Sequence, residues 1–169
     1  DADSDLAGDA CDNCPSVPNA DQADGGGGFE LPPDGVGDAC DNCVRAANPR
    51  EAPEFLGSHP WAVLTGGQRD DDLDGYGNKC DAKFPGSLGT IVGSGDLTQF
   101  RASSGKSRAA ASCGQGGFLP CAIFDLDQTG ALISSADLTV YRSLSGKAAG
   151  PKCPDCPLEC AAGALGTCF

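Results

Sequence analysis

The sequence predicts mostly irregular, crosslinked loops followed by a small α-helical pair. Three observations predict it. Leu, Ile, Val and Phe make up only 30 of 169 residues, below the roughly 20% at which a strongly charged chain tends to stay unfolded. Gly and Pro number 25 and 12, which favours turns over regular elements. Eleven cysteines argue against disorder, because a chain too poor in apolar residues for a large core can be held by crosslinks or by metal. The length allows one ordinary domain or two small ones, and the composition excludes a large apolar-cored enzyme domain.

Charge divides the chain. Residues 1–81 carry 18 acidic and 4 basic side chains, a net of −14, whereas residues 82–169 carry 6 and 7, a net of +1. The acidic part repels phosphate backbones and anionic lipid, so no nucleic acid partner and no membrane insertion are expected. Its natural counter-ion is a hard cation that prefers oxygen ligands. Many cysteines and no Met suit an oxidising compartment, and there is no apolar run of spanning length. The chain begins at Asp1, inside a motif, and reads as a processed fragment or mature segment of a secreted protein.

The acidic part repeats. Its segments are Asp1-Ala-Asp3-Ser-Asp5-Leu-Ala-Gly8-Asp9-Ala-Cys11-Asp12, then Asp34-Gly35-Val-Gly37-Asp38-Ala-Cys40-Asp41, then Asp70-Asp-Asp72-Leu-Asp74-Gly75-Tyr-Gly77-Asn78-Lys-Cys80-Asp81. Alternate carboxylates at positions 1, 3 and 5 can curl around one ion, and Gly at position 6 takes a bend that a side chain would block. Without an ion, carboxylates about 4 Å apart repel by roughly 1 kcal/mol per pair even in water. Calcium is therefore expected to be part of the fold. The bland reading is a solvated acidic surface, which three copies with glycines and cysteines in register disfavour. Cys11-x-x-Cys14 and Cys40-x-x-Cys43 also have the spacing of a zinc site, but hard-cation carboxylates interleave both pairs. Nothing suggests the strand-helix setting of redox cysteines.

Residues 1–84 resemble the thrombospondin type 3 repeat, through Gly-Asp-Ala-Cys-Asp-Asn-Cys-Pro at 8–15 and Asn19-Ala-Asp21-Gln22-Ala-Asp24 after it. The resemblance implies calcium- and disulfide-stabilised loops with almost no regular secondary structure. It implies several Ca²⁺ ions held by Asp1, Asp3, Asp5, Asp9, Asp12, Asn19, Asp21, Asp24, Asp34, Asp38, Asp41, Asp70, Asp72, Asp74, Asn78 and Asp81. It also implies disulfides Cys14–Cys40 and Cys43–Cys80, with Cys11 pairing upstream. There are departures. Leu6 stands where Gly should, and Gly25 to Pro33 interrupts the acidic run between Asp24 and Asp34. Glu30 is a candidate for the lost ligand there, whereas Pro32 is not. Residues 51–68 interrupt the third repeat with Phe55, Leu56, His59, Trp61, Val63 and Leu64. Such an apolar excess marks either a contact surface or a segment in which Trp61 folds back onto the repeats.

The second half is duplicated. Residues 89–106 (GTIVGSGDLTQFRASSGK) and 130–147 (GALISSADLTVYRSLSGK) are identical at 9 of 18 positions. Each copy reads as a short extended segment and a helix, the mark of two equivalent units. Asp96 and Asp137 are expected N-caps, with Gln99 completing a capping box, and Gly105 and Gly146 end the helices. Leu97 with Phe100, and Leu138 with Tyr141, can face one partner helix. Before the second helix, Asp125, Asp127 and Thr129 with Gly130 form half of an EF-hand-like calcium loop. With the duplicated helix this part, about 85–150, resembles dockerin. The resemblance implies at most one bound calcium, since Ala136 stands at position 12 and the first copy offers Lys83, Pro85 and Ser87 instead of ligands. The rival is a helix pair whose aspartates only cap.

Cys113–Cys121 is an expected hairpin staple between the units. The tail 151–169, with Cys153, Cys156, Cys160 and Cys168, lacks the apolar content to fold without crosslinks. Eleven cysteines leave one odd, and Cys11 is the candidate, free or paired with another chain. The sole histidine, His59, adjoins Ser58 without triad geometry, and no nucleophile elbow, phosphate loop or HExxH motif is present. No enzyme activity is expected. The expected function is a secreted, extracellular calcium-binding structural or adhesive module, a spacer or subunit of an assembly or fibril, with itself or another extracellular protein as partner. The alternatives are a dockerin-like module docking a cohesin-like partner and the non-catalytic C-terminal part of a secreted enzyme.

Overall fold

The computed structural model describes residues 1–28, 30 and 32–150. Regular structure is sparse, as 37 Gly and Pro dictate. Its elements are helix α1 (Phe55–Ser58), strands β1 (Leu64–Thr65) and β2 (Gln68–Arg69), helix α2 (Ser94–Ser103), a 3-10 turn (Cys121–Phe124) and helix α3 (Ser135–Leu144). The expected tail crosslinks at Cys153, Cys156, Cys160 and Cys168 lie outside the described residues.

Residues 1–50 hold themselves by disulfides and Asx turns instead of ladders. Cys14 pairs with Cys40, and Cys43 with Cys80. Each bond sits on a Cys-Asp-Asn-Cys turn whose Asp accepts from the amide two residues on, Cys14 N to Asp12 Oδ1 at 2.8 Å and Cys43 N to Asp41 Oδ1 at 2.7 Å. A small apolar cluster here consists of Cys14, Val36 and Cys40, with Val17 and Ala39 against them. The disulfides remove the thiolates that a zinc site would need.

The 51–68 insertion forms α1 and the β1–β2 hairpin. Gly66 and Gly67 make its two-residue turn, with φ of 57° and 82°. Phe55, Leu56, His59, Trp61, Val63 and Leu64 are all half-buried. His59 stacks on Phe55 at 4.3 Å, and the guanidinium groups of Arg69 and Arg108 both lie over the Trp61 ring, at 5.1 and 5.0 Å. Trp61 thus folds back onto Arg69 of the third repeat.

Between the halves, Arg69 is 1% exposed and donates to Asp71, to Asp125 at 2.9 Å and to the carbonyl of Ala122. Arg108 also reaches Asp125, at 3.1 Å. Asn78 Nδ2 donates to Asp71 and to the Ala122 carbonyl. A buried charge network thus joins the third repeat to the segment before α3.

The largest apolar core lies in the helical half: Ala82, Phe84, Val92, Phe100, Cys113, Cys121, Ile123, Phe124, Leu126, Ile133 and Tyr141. Phe100 and Tyr141 of the two helices meet at 5.5 Å, and Phe84 and Phe124 fill the space beneath them. The duplication is visible in backbone pairing. Ile133 N donates to Lys106 O at 2.9 Å and Gly105 N to Ile133 O at 2.8 Å; 41 residues away, Val92 N donates to Lys147 O at 2.8 Å and Gly146 N to Val92 O at 2.9 Å. Each unit's entry strand thus pairs with the other's exit. Cys113–Cys121 staples the connection as expected.

The expected caps need correction. Gly93 and Ser134 are the N-caps, and Asp96 and Asp137 are the third helical residues. Their carboxylates reach back to the N-cap amides, Gly93 N at 2.8 Å and Ser134 N at 2.7 Å. Glu or Asp at this position does half the work of a capping box, and the sequence disguises it because the true caps are Gly and Ser one turn earlier. Gln99 instead accepts from the Gln115 amide. Gly105 and Gly146 follow the helices with φ of 79° and 81°, the left-handed stop that was expected.

Candidate metal centres

In each repeat, backbone amides point inward at the carboxylates. In the first, Leu6 N donates to Asp1 Oδ2 at 3.1 Å and Ala7 N to Asp5 Oδ1 at 2.8 Å. In the third, Gly75 N donates to Asp70 Oδ2 at 3.1 Å and Tyr76 N to Asp74 Oδ1 at 2.9 Å. In the second, Gly35 N donates to Asp24 Oδ2 at 3.0 Å and Val36 N to Asp34 Oδ1 at 2.9 Å. These bonds define positions 1 and 5 of each loop. The residue that follows position 5 has left-handed backbone, at φ of 89° for Gly35 and 88° for Gly75. Leu6 adopts it too, at 81°, with its side chain 93% exposed, so the departure at Leu6 leaves the loop's shape intact.

Four groups of carboxylates result: Asp1, Asp3 and Asp5; Asp24, Glu30 and Asp34; Asp70, Asp72 and Asp74; and Asp125, Asp127 and Asp137. Within each, one oxygen per residue lies within 4.8 Å of the others. Oxygens sharing one calcium at about 2.4 Å can be at most about 4.8 Å apart, so the spacing suits that ion. Each group also holds a buried oxygen that accepts no hydrogen bond: Asp3 Oδ2, Asp24 Oδ1 with both Glu30 oxygens, Asp70 Oδ1, and Asp125 Oδ1. Buried carboxylate oxygens without donors are costly unless a cation faces them, and an all-oxygen set suits a hard one.

The electrostatics agree. Burial first, and neighbouring carboxylates second, push Glu30 up to about 8 and Asp72 to about 7. Burial and Asp74 push Asp81 to about 8, which puts Asp81 beside the third group. Asp41 rises to about 6 through burial, with Asp34 and Asp38 adding to it, beside the second. Asp70 and Asp137 also rise to about 6 through burial. In the first group, Asp5 is held low by the amides of Ala7 and Asn19. Gln22 Nε2 spans Asp5 and Asp12, at 3.3 and 3.1 Å.

Other expected ligands lie outside the four groups and have protein partners of their own. Asp9 accepts from Ala2 N and pairs with the amino terminus. Asp21 is exposed and accepts from Ala23 N, and Asp38 accepts from Gly25 N and Gly26 N at 2.9 Å. The Asn19 side chain bonds Asn13 and Gln22, and the Asn78 side chain bonds Asp71. Thr129 donates to Asp127 at 2.7 Å.

Three residues were less legible. Asp137 joins its group because the capping geometry turns the carboxylate toward the loop. Asn48 and Gln68 reproduce Asn19 and Gln22: Asn19 Nδ2 to Asn13 and Asn48 Nδ2 to Asn42 are both 2.6 Å, and Gln68 bonds Asp41 and Asn42 as Gln22 bonds Asp12 and Asn13. Asn48 follows Asp41 by the same interval as Asn19 follows Asp12, but the insertion separates Gln68 from it.

The two helical units differ at the matching place. Asp96 corresponds to Asp137, yet it faces the ammonium of Lys83, 3.0 and 3.3 Å from its two oxygens, and the hydroxyl of Ser87. A side-chain cation fills in the first unit the place where acids converge in the second.

Residues 1–22 match the thrombospondin type 3 repeat family. No curated protein and no solved structure matches the chain. The matched thrombospondin type 3 stretch contains the first carboxylate group and the Cys11-Asp-Asn-Cys14 turn. No helix among the described residues is long and apolar enough to cross a membrane.

Proposed function

We propose that this chain is a secreted calcium-binding structural module, a spacer or subunit of an extracellular assembly such as an adhesive contact or fibril. Residues 1–84 would be the ion-organised repeats, 85–150 the helical unit, and 151–169 a Cys-rich tail. The observation that carries this is the threefold recurrence of one carboxylate geometry, each copy with a buried oxygen that no protein group satisfies. Calcium, when bound, supplies the positive charge that lets those carboxylates converge. The chain's part is to aim them: amides of residues 6–7, 35–36 and 75–76 orient the acids, and the disulfides limit how far the loops can open. Ligands from the first repeat would be Asp1, Asp3, Asp5 and Asp12, from the second Asp24, Asp34 and Asp41, from the third Asp70, Asp72, Asp74 and Asp81, and from the helical unit Asp125 and Asp127. Extracellular sites of this kind bind at ~10⁻⁴–10⁻³ M. At millimolar calcium each adds about 0.4–1.4 kcal/mol, so several together decide whether the acidic half is ordered.

A second reading, docking of a partner protein on the helices, draws on a 380 Å³ groove between α2 and α3. Its walls are duplicated pairs, Leu97 with Leu138, Phe100 with Tyr141 and Arg101 with Arg142. Light scattering and electron microscopy, with calcium and with chelator, separate the two. Calcium-dependent oligomers or filaments support the structural role, and a monodisperse monomer in both conditions overturns it. Elemental analysis of the purified protein that returns zinc and no calcium overturns the metal assignment.

A further inference from the structure

The second repeat carries an interruption where its neighbours carry an acid. In the first and third repeats, positions 1 and 5 are four residues apart, as Asp1 and Asp5 or Asp70 and Asp74. In the second they are ten apart, Asp24 and Asp34, with the glycine- and proline-rich segment 25–33 between them. The amide bonds to Asp24 and Asp34 nevertheless match those of the other loops within 0.1 Å. Between these two acids, where Asp3 and Asp72 stand in the other repeats, the structure sets Glu30.

Glu30 is unlike an ordinary loop glutamate. It is 1% exposed, and neither carboxylate oxygen accepts a hydrogen bond. Among the described residues, no ion pair reaches Glu30, Asp24 or Asp34. Its two closest charged companions are therefore like charges. A buried ionised carboxylate in that setting is strongly disfavoured, and a water molecule could donate a hydrogen bond without offsetting the charge. A hard divalent cation offsets it, and three oxygens within 4.8 Å of one another are the set it takes. The insertion is itself anchored to place Glu30: Asp38 accepts from the amides of Gly25 and Gly26, and at Gly26 (φ 55°) a Cβ would collide with the Val44 carbonyl.

We propose that Glu30 is a calcium ligand, delivered by the 25–33 insertion into the place that an aspartate holds in the neighbouring repeats. This rests on the reading of the repeats as calcium-binding and adds a residue that their spacing does not supply. The test is calcium content and affinity of the whole chain, by elemental analysis after dialysis against 1 mM calcium and by calorimetry, for wild type, Glu30→Gln and an exposed control, Glu54→Gln. Glu30→Gln is expected to lose about one bound calcium per chain, with Glu54→Gln unchanged. Melting with calcium and with chelator guards against a folding defect. Because the substitution removes a like charge, its melting temperature should match or exceed wild type in chelator and fall below it in calcium. If wild type binds no calcium, the repeat reading fails. If wild type binds calcium and Glu30→Gln binds it equally, or if Glu30→Gln is destabilised alike in both conditions, the Glu30 assignment alone fails.

Discussion

A carboxylate in this chain is defined by what faces it. Asp96 and Asp137 share a sequence context, D-L-T, and share the capping bond to an N-cap amide. Asp96 meets an ammonium, and Asp137 meets Asp125 and Asp127. Burial tends to raise Asp96, but hydrogen bonds from Ser87, Gly93 and Lys83 outweigh it and hold the group below its ordinary value; at Asp137 burial outweighs the bonds from the Ser134 and Asp127 amides, Asp127 adds a like charge, and the group rises to about 6. The first helical unit is therefore expected to be stable without metal. Lys83→Met keeps the stem and strips the charge from a buried partner, which should cost about 2–3 kcal/mol. Urea unfolding should show that loss to the same extent with calcium and with chelator. A loss that calcium repairs would mean that the ammonium is not the counter-charge.

The elements are too short to hold themselves, so their positions come from what joins them. The hairpin of four paired residues ends in Arg69, whose guanidinium binds Asp71 on its own segment and Asp125 across the molecule. Removing one partner from a buried pair leaves the others uncompensated, commonly at 3–5 kcal/mol. Arg69→Met should approach that cost. It should also change the fluorescence of Trp61, the only tryptophan, which loses one of the two guanidinium groups over its ring. Near-ultraviolet and emission spectra identical to wild type would show that the network does not order this segment. The interruption at 51–68 was legible in the sequence, but its outcome was not. Trp61 packs against Arg69 and Arg108, which lie far apart along the chain.

At the scale of the whole molecule, the net charge of −13 and the buried acid groups act together. Glu30, Asp41, Asp70, Asp72, Asp81 and Asp137 titrate in the folded, ion-free chain between about 6 and 8. Unfolded, such acids titrate near 4. Groups raised in this way add stability below pH 4 and lose it as pH rises through 6 to 8. The chelated protein should therefore melt at a lower temperature at pH 8 than at pH 5. Calcium competes with those protons, so its stabilising effect should grow over the same range. Calorimetry at both pH values, with and without chelator, checks both signs. A calcium effect independent of pH would show that these acids do not face the ion.

The sequence by itself determined the loop chemistry and the duplication. Carboxylates two apart ahead of a bend, cysteines at the ends of a four-residue turn, and an 18-residue motif written twice are local patterns, and local geometry follows from them. The resemblance that they carried gave the pairings Cys14–Cys40 and Cys43–Cys80. Tertiary structure alone decided which acids meet across a gap. Glu30 reaches Asp24 and Asp34 only through a turn anchored on Asp38, and Gln68 regains the role of Gln22 only after the intervening hairpin closes. It also decided that Asp125 would bind two arginines while standing among acids. The physical reason is the same in each case: charges interact through space, and folding sets that distance independently of their separation along the chain.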